Sequence, residues 1–177
     1  MSYEHLTDSV SLQDDKNERY KRIIEALPAF FSPETSLVSS VNNVLALLHQ
    51  SMDNLWSGFY FVDDFFKQEP TLFLGFFQGA PACDIINFGR GVCGTALKTK
   101  QAQIVRDVEL FPGHIACSSA SRSEIVVPLF DKEGRVFGVL DLDSAELGAY
   151  DEADQEGLEE IMRLLSPNLY KVYNAIK

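Results

Sequence analysis

The sequence predicts an α+β domain in which helices flank an antiparallel sheet. Helical patterns lie at both ends of the chain, and β-rich runs separated by polar turns lie between them. Successive strands joined by short turns pair antiparallel, and helices outside such a run pack against the sheet. At 177 residues, of which 46% are hydrophobic, the chain has the size of one ordinary domain with a buried core. We divide it into a polar N-terminal lead-in, residues 1–15, and a single domain, residues 16–177.

Two helices are predicted before the first strand. The run KNERYKRIIEALPAFF has helical character up to Pro28, where proline removes a helix hydrogen bond. A second helix is predicted over roughly 33–51, because Ser32 and Pro33 are typical of an N-cap and a first helical position. Apolar residues then recur at helical spacing. These residues are Leu37, Val41, Val44, Leu45 and Leu48.

The strands are predicted mainly as pairs. The runs LWSGFYFV and TLFLGFF are aromatic and β-branched, and the polar residues between them indicate two paired strands. GRGVCGTALKTK predicts a glycine-rich turn that leads into a helix. QAQIVRDV predicts a short strand, and an irregular loop follows at 109–123. EIVVPLFDKEGRVFGVLDLDS is the clearest hairpin, with its turn from Asp131 to Gly134.

A last helix is predicted from Asp151 onwards. We expect Pro167 to kink or interrupt it, since proline both removes a hydrogen bond and clashes with the preceding turn. The apolar residues expected on one side of this helix are Leu158, Ile161, Leu164 and Leu165.

The charge and the cysteine count limit the partners and the compartment. The formal net charge of -11 at pH 7 repels phosphate backbones and anionic lipid, so we expect no nucleic-acid and no membrane partner. No apolar run approaches the roughly 20 residues that span a bilayer, and the polar, acidic start lacks the features of a secretory signal. Three cysteines, an odd number, favour a reducing cytoplasm in which a disulfide is transient and catalytic.

The cysteines are the first candidates for chemistry. Cys83, Cys93 and Cys117 lie in or beside glycine-containing, loop-like segments, QGAPACDI, GRGVCGTA and GHIACSS. A lone cysteine is more often a small buried hydrophobe, but loops carry function disproportionately. A metal site with His114 as fourth ligand is an alternative, although Cys83 and Cys93 are too far apart for the usual zinc knuckle. FGRGVCG lacks the lysine and hydroxyl residue of a phosphate-binding loop.

Carboxylic acids form the second set of candidates. In VLDLDS the alternation places Asp141 and Asp143 on one sheet face. An ordinary solvated face is the simplest interpretation of this strand alone. Counting back through the hairpin turn, however, puts Glu124 near the strand end that holds Asp143. Crowded carboxyls repel one another, so that one can stay protonated near neutral pH and donate a proton, while an ionised one can bind an ammonium group.

Trp56 and Tyr60 are the third set of candidates. They share one face of the LWSGFYFV strand. Aromatic strands usually fill a core, but two rings on a shared face can also form the wall of a pocket.

Several segments of the chain, in order, carry a resemblance to a known family. They are WSGFY, FQGAPAC, FGRGVCGTA, DVELFPGHIACSSASRSEIVVPL, GVLDLDS and YDEADQEGLEEI. Together they resemble the free methionine-(R)-sulfoxide reductases, a family built on a single GAF domain, over about residues 54–162. The resemblance implies a six-stranded antiparallel sheet flanked by helices, with the substrate enclosed beneath loops. It also implies reduction of free methionine-(R)-sulfoxide by electrons from thioredoxin, with no metal or organic cofactor.

The resemblance assigns roles to the thiols by position. Cys117 corresponds to the thiol that attacks the sulfoxide and becomes a sulfenic acid, and Cys83 and Cys93 correspond to the thiols that resolve it through a disulfide. The chemistry agrees, because a sulfoxide oxygen leaves only when protonated and a sulfenic acid needs a second thiol before it oxidises further. Cys83 is our first choice as the resolving residue, since GAPACDI is typical of a loop edge and Cys93 begins a helix.

The resemblance also assigns roles to the other candidates. Glu124, Asp141 and Asp143 match the acids around the sulfoxide and the amino group, and Trp56 and Tyr60 match the aromatic wall. The alternative function is a GAF domain that binds a small molecule or senses oxidant without turnover, because a fold alone does not establish function. The sequence leaves the oligomeric state open, a homodimer included.

Overall fold

A six-stranded antiparallel sheet forms the centre of the protein, in a computed structural model that describes residues 10–63, 69–115 and 119–177. The strands are β1 (Trp56–Asp63), β2 (Thr71–Gln78), β3 (Ile85–Asn87), β4 (Gln103–Val105), β5 (Ser123–Phe130) and β6 (Val136–Ser144). They lie in the order β3-β2-β1-β6-β5-β4, and every neighbouring pair is antiparallel. The predicted α+β class and the six-stranded sheet are therefore confirmed.

Helices cover both faces of this sheet. In the described part of the chain they are α1 (Lys16–Phe30), α2 (Leu37–Ser51), α3 (Gly91–Thr99) and α4 (Glu152–Ile176). The first two helices and α4 pack on the face that carries Leu140 and Leu142. Among the described α-helices, α3 alone packs on the opposite face, which carries Val139, together with a short 3-10 turn at Val108–Leu110. The predicted alternation along β6 is confirmed, with Leu140 and Leu142 on one face and Val139 and Asp141 on the other.

The β5–β6 hairpin sets the register on which the candidate acids depend. The Asp131 carboxylate accepts the backbone N–H groups of Glu133 and Arg135 at 3.0 and 2.8 Å. Gly134 has φ of 74°, a left-handed conformation that glycine adopts without strain. This tight turn pairs Glu124 directly with Asp143, as counting along the sequence predicted.

The start of the second helix differs from the prediction. α2 begins at Leu37 with Ser36 as its N-cap, not at Pro33. Ser32 and Thr35 form a closed turn instead, in which the Ser32 N–H donates to Thr35 Oγ1 and the Thr35 N–H donates to the Ser32 carbonyl, both at 3.1 Å. Hydroxyl side chains that bond to nearby backbone offer it an alternative to the helix.

Neither of the two prolines inside helices interrupts its helix. α1 continues past Pro28 to Phe30, and α4 runs unbroken from Glu152 to Ile176 through Pro167. Burial of an apolar helix face offsets the roughly 3 kcal/mol that an interior proline costs. Leu158, Ile161 and Leu165 are buried in that face as predicted. Leu164 is not, with 39% of its surface exposed.

The remaining observations concern the chain start and membrane crossing. Val10 is buried against the α1, α2 and α4 cluster, and the division of the chain at residue 15 stays a prediction. None of the helices in the described residues is long and apolar enough to pass through a bilayer.

Candidate active site

The three candidate acids meet where β5 and β6 pair. Glu124 lies opposite Asp143, and Asp141 lies two residues earlier on the same face of β6. Only 6% of the surface of Glu124 and 7% of that of Asp141 is exposed, and Asp143 is half-buried. The simplest interpretation of VLDLDS, a solvated acidic face, is therefore wrong.

Two small cavities meet at Asp141 and Asp143. A polar cavity of about 30 Å³ is lined by these two residues together with Glu124, Cys93 and others. A mainly apolar cavity of about 110 Å³ is lined by the same two aspartates, by Trp56 and Tyr60, and by the segment 80–82. The carboxylates therefore stand between a polar space and an aromatic one.

The aromatic wall is held rigidly. Trp56 Nε1 donates to the Ala80 carbonyl at 2.9 Å, and the Tyr60 hydroxyl donates to the Cys83 carbonyl at 3.1 Å. The two ring centroids are 5.9 Å apart. Gly58 makes the arrangement possible, because a Cβ there would lie 2.2 Å from the Trp56 ring. The two rings belong to the core cluster and also line the cavity, as their shared face suggested.

The thiols occupy different environments. Cys93 is buried in the first turn of α3, and its Sγ donates to Asp141 Oδ2 at 3.2 Å. It is a free thiol. Cys83 is half-buried beside the aromatic wall and is disulfide-bonded. Cys117, the predicted nucleophile, lies outside the described residues.

Glycines bring Cys93 into the site. Gly91, at the start of α3, has φ of 61°, and a Cβ on Gly94 would lie 2.4 Å from the Asn87 carbonyl oxygen. The helix start can therefore approach β3 closely, which directs Cys93 towards β6.

Two further side chains contact the acids. His114 Nε2 lies 3.5 Å from Glu124 Oε2, and the Ser121 hydroxyl donates to Asp143 Oδ1. The sequence singled out His114 only as an alternative metal ligand, and it missed Ser121. The available signal was their position in the polar run that leads directly into β5.

The potential metal ligands that the structure brings together differ from the metal site that the sequence analysis considered. Cys93, Glu124 and Asp141 offer potential ligand atoms that lie within 4.8 Å of one another. This set has one thiol and two carboxyls instead of several cysteines. Buried acids beside a thiol equally suit proton transfer, and we assign no metal to them.

Burial controls the protonation of the acids. It raises the pKa of Glu124 well above the ordinary value, and repulsion from Asp143 raises it further. Burial and repulsion from Glu124 raise the pKa of Asp141 in the same way. The pKa of Asp143 is raised by burial as well, but the hydrogen bond from Ser121 and the charge of His114 oppose the rise. The site can therefore hold a proton on Glu124 or Asp141 and a negative charge on Asp143.

The thiol and phenol of the site resist ionisation. Burial, followed by repulsion from Asp141, raises the pKa of both Cys93 and Tyr60. Cys93 is therefore a neutral hydrogen-bond donor to Asp141, not a ready thiolate.

A larger cleft lies elsewhere in the described structure. It has a volume of about 1120 Å³ and runs between α4 and the end of β5, where Pro128, Met162 and Tyr170 line it. It contains no cysteine, so it has no thiol for the chemistry predicted from the sequence.

Known proteins are similar to this chain in sequence and in architecture. The GAF domain family matches residues 34–169. The free methionine-R-sulfoxide reductase of Escherichia coli is 40% identical, with 91% of this chain and 97% of the relative covered. The enzyme of the same name from Saccharomyces cerevisiae is 37% identical, with 92% and 93% covered. A solved structure of the free methionine-R-sulfoxide reductase from Neisseria meningitidis, in complex with its substrate, superimposes with a TM-score of 0.82 at 41% identity and covers 92% of this chain and 95% of that one.

The raised pKa of Glu124 predicts a pH-dependent effect on stability. The folded state keeps a proton that the unfolded state releases, so the wild type loses free energy of unfolding as the pH rises above 4.5, the ordinary glutamate value. Glu124→Gln is neutral at every pH. We expect the free energy of unfolding of the variant minus that of the wild type to be larger at pH 8 than at pH 4, as measured by urea denaturation.

The exposed residue Glu160 provides the control for this measurement. Arg163 lowers the pKa of Glu160, so Glu160→Gln should show no such gain at high pH. An equal stability difference between Glu124→Gln and the wild type at both pH values would contradict a protonated Glu124.

Proposed function

The chain belongs to the free methionine-R-sulfoxide reductase family of GAF-domain oxidoreductases, and we propose that it reduces free L-methionine-(R)-sulfoxide to methionine with its own thiols. The observation that carries the proposal is the buried acid pair, Glu124 and Asp141. Both acids line the polar cavity, and Asp141 also lines the aromatic one. A protonated carboxyl in this position suits a sulfoxide oxygen, and the rings suit an S-methyl group.

The cavities suggest how the substrate is oriented. The S-methyl group lies against Trp56 and Tyr60 in the cavity of about 110 Å³. The sulfoxide oxygen accepts a hydrogen bond from the Glu124–Asp141 pair. The substrate ammonium lies at Asp143, where the hydrogen bond from Ser121 favours the ionised carboxylate. A free amino acid carries the positive charge that this third acid needs, whereas a methionine inside a protein does not.

The first step transfers oxygen from substrate to enzyme. We propose that the Cys117 thiolate is the nucleophile. The S–O bond of the sulfoxide breaks, an S–O bond forms on Cys117, and the proton that arrives on the oxygen comes from the carboxyl pair. The substrate sulfur is reduced by two electrons and the Cys117 sulfur is oxidised by two, which yields methionine and a sulfenic acid.

The second step resolves the sulfenic acid. We propose that the Cys83 thiol attacks the Cys117 sulfur, so that an S–S bond forms and water leaves. The half-buried position of Cys83 and its disulfide-bonded state support this choice, since Cys93 is buried and donates to Asp141. Thioredoxin, in the cytoplasm, then supplies the two electrons that reduce the disulfide. No metal or organic cofactor takes part in these steps.

Substrate specificity tests the proposal directly. Blocking the amino group removes its charge and adds bulk inside a cavity of about 110 Å³. We expect turnover of free methionine-(R)-sulfoxide, and very poor turnover of the S epimer and of N-acetyl-methionine-(R)-sulfoxide, in assays of methionine formation with thioredoxin. Binding without turnover would indicate the sensor function instead, and equal rates for the free and acetylated R epimers would refute the enclosed site.

The role of Asp143 can be tested by an isosteric change. Asp143→Asn keeps the shape but removes a negative charge and a proton site, so we expect kcat/KM to fall at least about 100-fold. Asp53→Asn is a matched control, because Asp53 is exposed with φ of 51°, a conformation that asparagine tolerates. A near-normal rate for Asp143→Asn between pH 6 and 8 would remove this acid from the mechanism.

The roles of Cys117 and Cys83 can be tested by counting the methionine molecules that each variant forms per enzyme. Cys117→Ser should form no methionine. Cys83→Ser should form about one methionine per enzyme and then stall with thioredoxin, because its sulfenic acid is unresolved. Rapid-quench assays of methionine per active site measure both results.

Cys93→Ser provides the matched control for the thiol variants. It retains a hydroxyl donor for Asp141, and it should turn over with thioredoxin. A burst from Cys117→Ser would exclude Cys117 as the nucleophile, and undiminished turnover of Cys83→Ser would transfer the resolving role to Cys93.

A further inference from the structure

His114 lies between the buried acids and solvent. Its side chain is 15% exposed and that of Glu124 is 8% exposed, and its Nε2 is 3.5 Å from Glu124 Oε2. The His114 backbone N–H donates to the Phe111 carbonyl at 3.1 Å, so a turn of the loop fixes the backbone that carries the ring. The imidazole is thus a titratable group beside Glu124 that is more exposed than Glu124 itself.

The surroundings of His114 favour transfer of a proton to the acids. Of the described residues that line the polar cavity, His114 is the one imidazole, and an imidazole takes up and releases a proton near neutral pH. The charged or titratable residues around this cavity, from α3 and its N-cap and from β5 and β6, are Cys93, Arg90, Glu124, Asp141 and Asp143. Three of these five groups are acids, which attract a protonated ring.

The proposed reaction creates a need for such a transfer. When the carboxyl pair gives its proton to the sulfoxide oxygen, it is left with an additional negative charge in a buried place. Burial penalises that charge, and the next substrate needs the proton again. Because Glu124 and Asp141 are each less than a tenth exposed, direct exchange with bulk water is obstructed.

We propose that His114 returns a proton to Glu124 after each turnover, an inference that rests on the proposed function. The Nε2–H bond of the imidazolium breaks, and an O–H bond forms on Glu124 Oε2. The neutral ring then regains a proton from solvent at the exposed part of its side chain. His114 acts through Glu124 and does not itself contact the reacting sulfur.

The test separates the first turnover from those that follow. In His114→Ala, Glu124 starts out protonated, so the rapid-quench burst of methionine should occur at the wild-type rate. Steady-state kcat, measured where it no longer depends on thioredoxin concentration, should fall at least about tenfold. The KM for the sulfoxide should fall with it and kcat/KM should stay unchanged, because the slowed step follows methionine formation. Imidazole added to the buffer should restore kcat, because it can enter the space left by the ring. His114→Gln should show the same fall.

His49 provides the matched control. It lies on α2, contacts Ser57 Oγ through Nδ1 at 3.1 Å, and lines neither cavity. His49→Ala should show no response to imidazole.

The outcomes distinguish this inference from the proposed function. A slow first turnover in His114→Ala with no imidazole response would show a structural role and overturn the relay. An unchanged kcat in either His114 variant would also overturn it. Absence of methionine formation by the wild type would overturn the proposed function itself.

Discussion

The pairing of β5 with β6 holds three carboxyl groups together against their mutual repulsion. The ladder sets Glu124 opposite Asp143, and Asp141 follows two residues away on the same face. Separated carboxyls in water would ionise freely, whereas burial and mutual repulsion raise the pKa of Glu124 and of Asp141. At a pH above the ordinary pKa of an acid, this arrangement lowers the free energy of unfolding. Burial elsewhere in the fold has to offset that loss. Clustered acids whose pKa values are shifted by burial and by one another are typical of a functional site.

The two faces of the sheet separate stability from chemistry. Leu140 and Leu142 point into the large apolar cluster formed with α1, α2 and α4. Asp141 and Asp143 point to the opposite side, where α3 is the one α-helix among the described residues and two small cavities lie. The large cluster supplies the burial that stabilises the domain, and the thinner side leaves room for a ligand. A β-strand with alternating leucine and aspartate serves both purposes.

Local chemistry explains the places where sequence and structure disagree. Ser32 and Pro33 suit a helix start, but the backbone of Ser32 forms a closed turn with Thr35 instead. Pro167 disfavours a helix locally, yet α4 continues because residues on both sides of it, such as Leu165 and Leu169, are fully or almost fully buried. Short motifs carry signals for more than one structure, and tertiary packing selects among them.

The sequence by itself determined the fold class, the family and the meeting of Glu124 with Asp143. A hairpin is local, so its register follows from counting through one turn, and alternation assigns the sheet face. Only the tertiary structure decided that Cys93 donates to Asp141 and that His114 stands beside Glu124. These contacts depend on how a helix start and an irregular loop pack on the sheet, and no periodic pattern in the sequence encodes the position of elements that are joined by loops.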